Sequence, residues 1–240
     1  GTGPLGATAE NVAQEHNVSR NSQDSFALES QRRAEIAINS GYFEKQIIPI
    51  EVKHKRENIE FKIDEHPKLS SLESLSNLKP AFQKDGSVTP GNASGLNDGA
   101  GALVLATEEA ANSAGLTPKA RILGYAHAGV RPEVMGIGPV PAVHNLLKKT
   151  GLSISDFDVI ESNEAFASQA LAVNKGLKLD PQKVNPNGGA IALGHPIGAT
   201  GAIIAIKALY ELERTNGSKA LITMCIGGGQ GIALAIERMS

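Results

Sequence analysis

The 240-residue sequence contains one cysteine, Cys225, and no tryptophan, and aromatic residues make up only 4% of it. A single cysteine excludes an internal disulfide bond and is typical of a reducing compartment. The formal net charge of −2 gives no excess of either sign that would predict binding to nucleic acid or to an anionic membrane. No uninterrupted apolar run is long enough to cross a bilayer. We therefore expect a cytoplasmic protein with neither nucleic acid nor a membrane as its partner.

Hydrophobic residues make up 41% of the chain, and strand-like and helix-like segments alternate in its second half. Strands are predicted at Ala120–Ala128, Phe157–Glu161 and Ala220–Met224, with helices between them. A last strand at Gly231–Glu237 follows too closely for a helical crossover, which predicts an antiparallel hairpin. This alternation favours an α/β fold in which helices cover a mixed sheet.

The first 117 residues are less regular. Ser19 is a predicted N-cap of a helix that runs to about Ser40, and the segments 47–52 and 60–63 resemble a pair of strands joined by a basic tip. Residues 64–91 are polar and rich in turns, which is typical of an irregular excursion. The sequence GALVLATEE, residues 101–109, predicts a buried strand and the start of a helix. We place the main boundary at the break Gly115–Pro118.

The segment Asn185–Gly201, NPNGGAIALGHPIGATG, contains five glycines and one histidine, His195. Glycine at this density is unfavourable in helices and strands, and it lets the backbone approach a ligand or another segment closely. An apolar periodic helix follows directly. His195 is therefore predicted just before a helix N-terminus, where free N–H groups and a partial positive charge are found.

Three loops carry groups with complementary chemistry: NEAF from Asn163, GHP around His195, and CIGGGQG from Cys225. In wound α/β sheets the carboxyl ends of the strands form the ligand crevice, so we expect these loops to converge there. Histidine and cysteine exchange protons, an asparagine amide holds a water or a carbonyl, and glycine N–H groups bind an oxyanion.

Each feature also has an ordinary structural interpretation. A single cysteine that ends a strand is most often a small buried apolar residue. A histidine beside Gly-Pro is often a loop residue, and GGGQG is compatible with a tight hairpin. Because the three features occur together at predicted loop positions, a functional interpretation is favoured over three independent structural ones.

The motifs NEAFA, GGAIALGHPIGATG and CIGGGQG, which begin at Asn163, Gly188 and Cys225, resemble the C-terminal signature of the thiolases. The resemblance extends through VMGIGPVPA and NASGLNDGA back to TAENVA near the start of the chain. It implies a layered thiolase fold and coenzyme A thioester chemistry. That chemistry is the cleavage of a 3-ketoacyl-CoA by CoA or the condensation of two acetyl-CoA molecules.

The resemblance also implies roles for individual residues. His195 would activate an acyl-accepting cysteine and help to bind the thioester oxygen, and Asn163 would hold a water in the same oxyanion hole. Cys225 would move protons at the substrate α-carbon or the CoA sulfur. The backbone N–H of Gly227 would belong to a second oxyanion hole.

Three further positions match thiolase residues around the pantetheine arm and the acyl group: Ser94, Met135 and Phe166. Coenzyme A and acyl-CoA are then substrates, and the resemblance implies neither a covalently bound cofactor nor a metal.

In thiolases a first cysteine accepts the acyl group, but the only cysteine here matches the proton-transfer position. We therefore expect a loop domain at 1–90, the closing strand and helix of an incomplete N-terminal domain at 91–117, and a C-terminal domain at 118–240. The chain alone is expected to be inactive. Its expected partner is a second copy of itself, in a homo-oligomer, or a complementary N-terminal half. The alternative is a truncated thiolase that binds CoA or a partner without catalysis.

Two other classes fit less well. The related ketoacyl synthases carry histidine where this chain has Cys225. A dinucleotide-binding oxidoreductase would need a glycine motif that opens a helix, whereas GGGQG precedes a predicted strand.

Overall fold

The computed structural model describes residues 3–239, and two helices open the chain. Helix α1 spans Leu5–Glu15 and α2 spans Arg20–Asn39. The predicted cap is confirmed, because the Ser19 side chain accepts a hydrogen bond from the Ser22 N–H.

A β-hairpin and a short helix follow. Strand β1 (Ile50–His54) pairs antiparallel with β2 (Glu57–Phe61), which confirms the predicted strand pair and places Lys55 and Arg56 at its tip. Helix α3 spans Leu72–Ser76. Most of the chain from residue 62 to residue 107 is otherwise irregular, as its turn-rich sequence predicts.

The predicted buried strand in residues 101–109 is wrong. Residues 101–107 form neither strand nor helix, and the side chains of Leu103, Val104 and Leu105 are 45%, 89% and 75% exposed. The apolar pattern is local, whereas a strand needs a second strand to take its backbone hydrogen bonds, and the described residues supply none here. Helix α4 (Glu108–Ser113) follows, capped by the Thr107 side chain.

The second half of the chain is built on a four-stranded mixed sheet. Its members are β3 (Ala120–Gly129), β4 (Val159–Ser162), β5 (Lys219–Ile226) and β6 (Gln230–Arg238). The strand order is β3-β6-β5-β4, with β4 parallel to β5 and the other two pairings antiparallel. The predicted mixed sheet and its final hairpin are confirmed.

Helices cover both faces of this sheet: α5 (Pro139–Thr150) and α6 (Ala167–Leu177) pack on one face and α8 (Thr200–Thr215) on the other. The single-turn helix α7 (Ala190–Leu193) packs against α2. Two short 3₁₀ helices span Pro132–Ile137 and Ile154–Asp156. Helix α5 ends where Gly151 takes a left-handed conformation, as the sequence predicts.

Successive side chains of a strand point to opposite faces of the sheet, and here they form two hydrophobic clusters. Ile160 and Leu221 belong to one cluster with α5 and α6, whereas their neighbours Val159 and Ile222 belong to the other cluster with α8. Full burial of one such aliphatic side chain stabilises the fold by about 1.5–3 kcal/mol. The two clusters therefore fix β4 and β5, whose carboxyl ends carry the candidate site.

The N-terminal helices pack onto the same body. Helix α1 contacts α6, where the Ser168 hydroxyl donates a 3.0 Å hydrogen bond to the Ala9 carbonyl, and α2 contacts both α6 and α7. Within residues 3–239, no helix is both long and apolar enough to cross a membrane.

Candidate functional site

The parallel pair β4–β5 brings two of the three predicted loops to one edge of the sheet. Asn163 directly follows β4, and Cys225 lies one residue before the end of β5. The Asn163 N–H donates a 3.0 Å hydrogen bond to the Thr223 carbonyl on β5. His195 reaches the site differently from the prediction, because it follows the single-turn helix α7 rather than a strand. It lies just before α8, as predicted.

Hydrogen bonds fix the tautomer of His195. The Thr200 hydroxyl donates its one proton to the Pro196 carbonyl at 3.1 Å, so toward His195 it can only accept. The imidazole Nδ1 lies 2.7 Å from this hydroxyl and therefore carries the ring proton. The Nε2 lone pair then faces the Asn163 amide nitrogen at 3.4 Å. The arrangement presents His195 as a base at Nε2.

Burial lowers the pKa of His195 below its usual value. The neutral imidazole is therefore favoured at neutral pH, and the Nε2 lone pair is available to take a proton. Once protonated, the same nitrogen becomes a hydrogen-bond donor.

Asn163 has one unused hydrogen-bonding atom. The residue is only 2% exposed, and its Oδ1 is buried without a hydrogen-bond partner among residues 3–239. An unpaired buried amide oxygen is costly unless a water or ligand atom satisfies it. Asn163 therefore offers an amide donor to His195 and an acceptor to a further polar group.

Cys225 lies in an apolar cluster with Met135 and Phe166. Its burial raises the pKa of the thiol to about 12. The group is thus a protonated thiol at neutral pH, which suits a proton donor and makes it a poor nucleophile. Three of the predicted site residues are thus in one cluster.

Ser94 and Gly227 both lie in loops. The Ser94 backbone N–H and hydroxyl both donate to the Ala165 carbonyl, at 3.1 and 3.0 Å, which ties Ser94 to the NEAFA loop. Gly227 is exposed in the turn between β5 and β6.

A buried carboxylate stabilises the NEAF loop. Glu164 accepts hydrogen bonds from the Ser30 hydroxyl at 2.7 Å, the Asn185 amide at 2.8 Å and the Ile191 N–H at 3.3 Å. Burial raises the pKa of Glu164, and the hydrogen bonds oppose this shift. One side chain thus connects α2, the NEAF loop and α7, which precedes His195.

A buried ion pair connects α8, β4 and the loop at Gly188. Lys207 of α8 lies 2.9 Å from Glu161 of β4 and donates a 2.6 Å hydrogen bond to the Gly188 carbonyl. Burial raises the pKa of Glu161 to about 7, against the opposing effect of Lys207. Removing one partner of such a buried pair leaves an uncompensated charge, which is strongly destabilising.

Two open crevices lie on the surface. One, of about 400 Å³, runs beside His195 between Asn97–Gly101 and Pro196–Ala199. The other, of about 420 Å³, lies near Asp158 and Asn216, and neither His195, Asn163 nor Cys225 lines it. The first crevice borders the His195 loop at Pro196, so we place the candidate site next to it.

Sequence reasoning missed several residues that shape this site: Thr200, Asn97, Glu164 and Lys207. Thr200 stands five residues after His195, close enough in the chain to suggest a contact. A buried Glu164 inside the NEAF motif was also a visible signal, since a charged residue in an apolar loop requires partners. Asn97 and Lys207 are distant in sequence, and only the fold brings them to the site.

The fold and site together define an α/β protein with a histidine–asparagine pair at the end of β4 and a buried thiol near the end of the neighbouring strand β5. Residues 116–238 match the thiolase C-terminal domain and residues 2–109 match the thiolase N-terminal domain. The chain belongs to the thiolase family.

Similar proteins support this assignment. The chain is 56% identical to the beta-ketothiolase BktB of Cupriavidus necator, over 98% of the chain and 60% of that protein. It superposes on an acetyl-CoA acetyltransferase of Bacillus anthracis with a TM-score of 0.96 and 52% identity, over 98% of the chain and 60% of that structure. For human mitochondrial 3-ketoacyl-CoA thiolase in complex with CoA, the TM-score is 0.90 at 46% identity, over 98% of the chain and 59% of that structure. The chain spans about 60% of the length of the curated relatives that it matches.

Proposed function

We propose that this chain carries the proton-transfer and oxyanion-binding part of a thiolase acyltransferase site. The reaction is the cleavage of a 3-ketoacyl-CoA by CoA, with acetoacetyl-CoA as the simplest substrate, or the reverse condensation of two acetyl-CoA molecules. The single observation that carries the proposal is the His195 Nε2 lone pair, fixed by Thr200 and directed at the Asn163 amide.

In the first half of the reaction, His195 acts as the base. Its Nε2 takes the proton of an acyl-accepting cysteine thiol, and the thiolate attacks the C3 carbonyl of the 3-ketoacyl-CoA. The bond between C2 and C3 breaks, the acyl group stays on that cysteine, and the electron pair moves into an enolate of acetyl-CoA. Protonated His195 and the group held by Asn163 stabilise the enolate oxygen.

Cys225 completes the proton transfers. Its thiol gives a proton to C2, which releases acetyl-CoA, and the resulting thiolate takes the proton of an incoming CoA thiol. The CoA sulfur attacks the acyl-cysteine, and the backbone N–H of Gly227 stabilises the oxyanion that forms. The cysteine leaves as a thiolate and regains its proton from His195, so both proton carriers return to their starting states.

The substrate arm lies near three further residues in this proposal. Ser94 contacts the pantetheine chain, and Met135 and Phe166 line the acyl and pantetheine pocket, next to Cys225. Residues 1–90 form a loop domain that covers CoA, residues 91–117 belong to an N-terminal domain, and residues 118–240 form the C-terminal domain. The active assembly is a homo-oligomer or a complex with a complementary N-terminal half.

The acyl-accepting cysteine is not among these 240 residues, because Cys225 is the only cysteine present. Its raised pKa suits proton donation rather than attack on a carbonyl. We therefore expect no thiolysis by these 240 residues alone.

The same observation favours one alternative, a thiolase-related protein that binds CoA or a partner without catalysis. The two functions differ in what happens when a nucleophile is supplied. A catalytic site gains turnover, whereas a binding protein gains only a complex.

The test adds, in trans, the segment of the Cupriavidus necator beta-ketothiolase that this chain does not match, and measures acetoacetyl-CoA cleavage by CoA. We expect turnover from the mixture and none from the 240 residues alone. His195→Gln should lower the rate by about 10²–10⁴-fold, the usual contribution of a general base. His54→Gln, in the exposed β1–β2 hairpin, is the matched control.

Two results would contradict the proposal. One is full turnover by the 240 residues alone, and the other is equal activity of the His195→Gln and His54→Gln mixtures. A folded complex that binds CoA and shows no turnover would support the alternative.

A further inference from the structure

A second histidine, His66, lies close to the site on the irregular segment between β2 and α3. Its Nε2 is 3.3 Å from the Ile191 carbonyl of α7, and its Nδ1 is 3.3 Å from the Asn97 amide nitrogen. A carbonyl oxygen can only accept, so Nε2 carries the proton and Nδ1 accepts from Asn97. His66 is thus held as the neutral Nε2–H tautomer.

The Asn97 side chain links His66 to the loop that carries His195. Its Oδ1 accepts a 3.1 Å hydrogen bond from the His195 backbone N–H, which can only donate. Oδ1 therefore faces His195 and the amide nitrogen faces His66. The three bonds run in one direction, from the His195 N–H through Asn97 and His66 to the Ile191 carbonyl, and every donor meets an acceptor.

Two glycines leave room for this chain of hydrogen bonds. A Cβ on Gly194 would lie 2.5 Å from Asn97 Oδ1, and a Cβ on Gly95 would collide with the His66 ring. Gly194 also has a φ of +94°, which residues with a side chain rarely adopt. The backbone at Gly194 therefore leaves space for the Asn97 side chain, and the backbone at Gly95 leaves space for the His66 ring.

We propose that His66 and Asn97 form a clamp that holds the main chain at His195 and are positioning residues of the site. Thr200 fixes the imidazole at Nδ1, and the clamp fixes the backbone from which the imidazole extends. The clamp thereby sets the distance from Nε2 to Asn163. Its catalytic meaning rests on the proposed function, whereas its hydrogen bonds do not.

The first test is a long-range ¹H–¹⁵N correlation spectrum of the ¹⁵N-labelled 240-residue chain at neutral pH. We expect His66 to have a proton on Nε2 and a lone pair on Nδ1. The exposed His54 serves as the internal reference for an unconstrained ring. An Nδ1–H tautomer, or the averaged pattern of His54, would overturn the clamp. This measurement needs no variant and no turnover.

The second test compares His66→Asn with His66→Leu, two side chains of similar size, by amide hydrogen exchange at His195. Asparagine keeps an acceptor for the Asn97 amide and leucine does not. We expect leucine to speed exchange of the His195 N–H by about five- to tenfold, the effect of losing one ordinary hydrogen bond, and asparagine to stay near the original rate. Equal rates in the two variants, whether slow or fast, would overturn the proposal.

The complemented assay separates the clamp from the proposed function. With the added segment, His66→Leu should lower kcat while KM changes little, and His66→Asn should restore kcat. Thiolysis that is unaffected by either variant keeps the proposed function and removes the clamp. Confirmed tautomer and exchange results, without any thiolysis by the original chain when the added segment is present, keep the clamp and remove the proposed function.

Discussion

Ala102–Ala106 and Ala220–Met224 have similar apolar sequences, ALVLA and ALITM, but they lie in opposite surroundings. In the second segment Leu221 is fully buried in β5, between β4 and β6. In the first segment Val104 is 89% exposed, and the segment pairs with no strand of the described chain. The two segments differ in the neighbours that the fold gives them rather than in their own residues.

This difference determines where the chemistry can be placed. A strand between two others is held by backbone hydrogen bonds on both sides and by side chains on both faces, so Cys225 at its end has a fixed position. The exposed segment has none of these constraints, and an unpaired apolar segment of this kind is prone to pair with another chain. The site accordingly lies at the ends of β4 and β5.

The largest contrast is expected in thiol reactivity. A cysteine at position 104, as Val104→Cys in a Cys225→Ser background, should react with iodoacetamide at pH 7.5 about a thousandfold faster than Cys225 in the original chain. An exposed thiol has an ordinary pKa, whereas burial raises the pKa of Cys225 to about 12 and leaves almost no thiolate. Labelling rates by mass spectrometry measure this, and similar rates would contradict the described burial.

The same pKa predicts a pH dependence of stability. The raised folded-state pKa means that Cys225 contributes stability below its ordinary value of 9.0 and that this contribution is lost as the pH rises toward about 12. Cys225→Ala should therefore show a smaller loss of unfolding free energy between pH 9 and pH 11 than the original chain does. Urea titrations of the two proteins at both pH values measure it, and identical losses would exclude the predicted linkage.

Shortening one apolar side chain in each segment should change the free energy of unfolding by different amounts. Leu221→Ala is expected to lower the free energy of unfolding by about 2–5 kcal/mol, because it opens a cavity in a packed core. Val104→Ala removes a similar apolar group from an exposed side chain, and such surface changes usually stay within about 0.5 kcal/mol. The midpoints of urea unfolding give the comparison, and an equal cost for both variants would show that residue 104 is also buried.

The smallest contrast is expected at two helix caps. The Ser19 side chain caps α2, which packs against α6 and α7, and the Thr107 side chain caps the exposed six-residue α4. Removing an N-cap costs about 0.5–2 kcal/mol where the helix is part of the folded unit. Ser19→Ala should therefore lower the unfolding midpoint, and Thr107→Ala should leave it nearly unchanged. A shift of equal size in both would show that α4 unfolds together with the sheet.

Local patterns were sufficient to predict much of the fold. The Ser19 cap, the end of α5 at Gly151 and the hairpin of β5 and β6 depend on neighbouring residues and were predicted correctly. The strand at 101–109 was wrong, because strand formation depends on a partner that a local pattern does not reveal.

In the candidate site, too, some residues could be predicted from local motifs and others could not. Asn163 and His195 lie within hydrogen-bonding distance, as the expected convergence of their loops predicts, and Cys225 clusters with Met135 and Phe166. The groups that hold them could not be predicted, because Lys207 reaches Glu161 across 46 positions and Asn97 reaches His195 across 98. A contact of that separation is created by the packing of helices and strands, and it has no signature in either segment alone.

The most direct test of the central claim is the ¹⁵N spectrum of His195 recorded across a pH titration of the 240-residue chain. We predict a proton on Nδ1, a lone pair on Nε2 at neutral pH, and a pKa of His195 below the usual value because the imidazole is buried. Thr200→Ser should preserve this tautomer, and Thr200→Val should release it. A proton on Nε2 in the neutral ring of the original chain would contradict the account, because His195 could then not act as the base at that nitrogen.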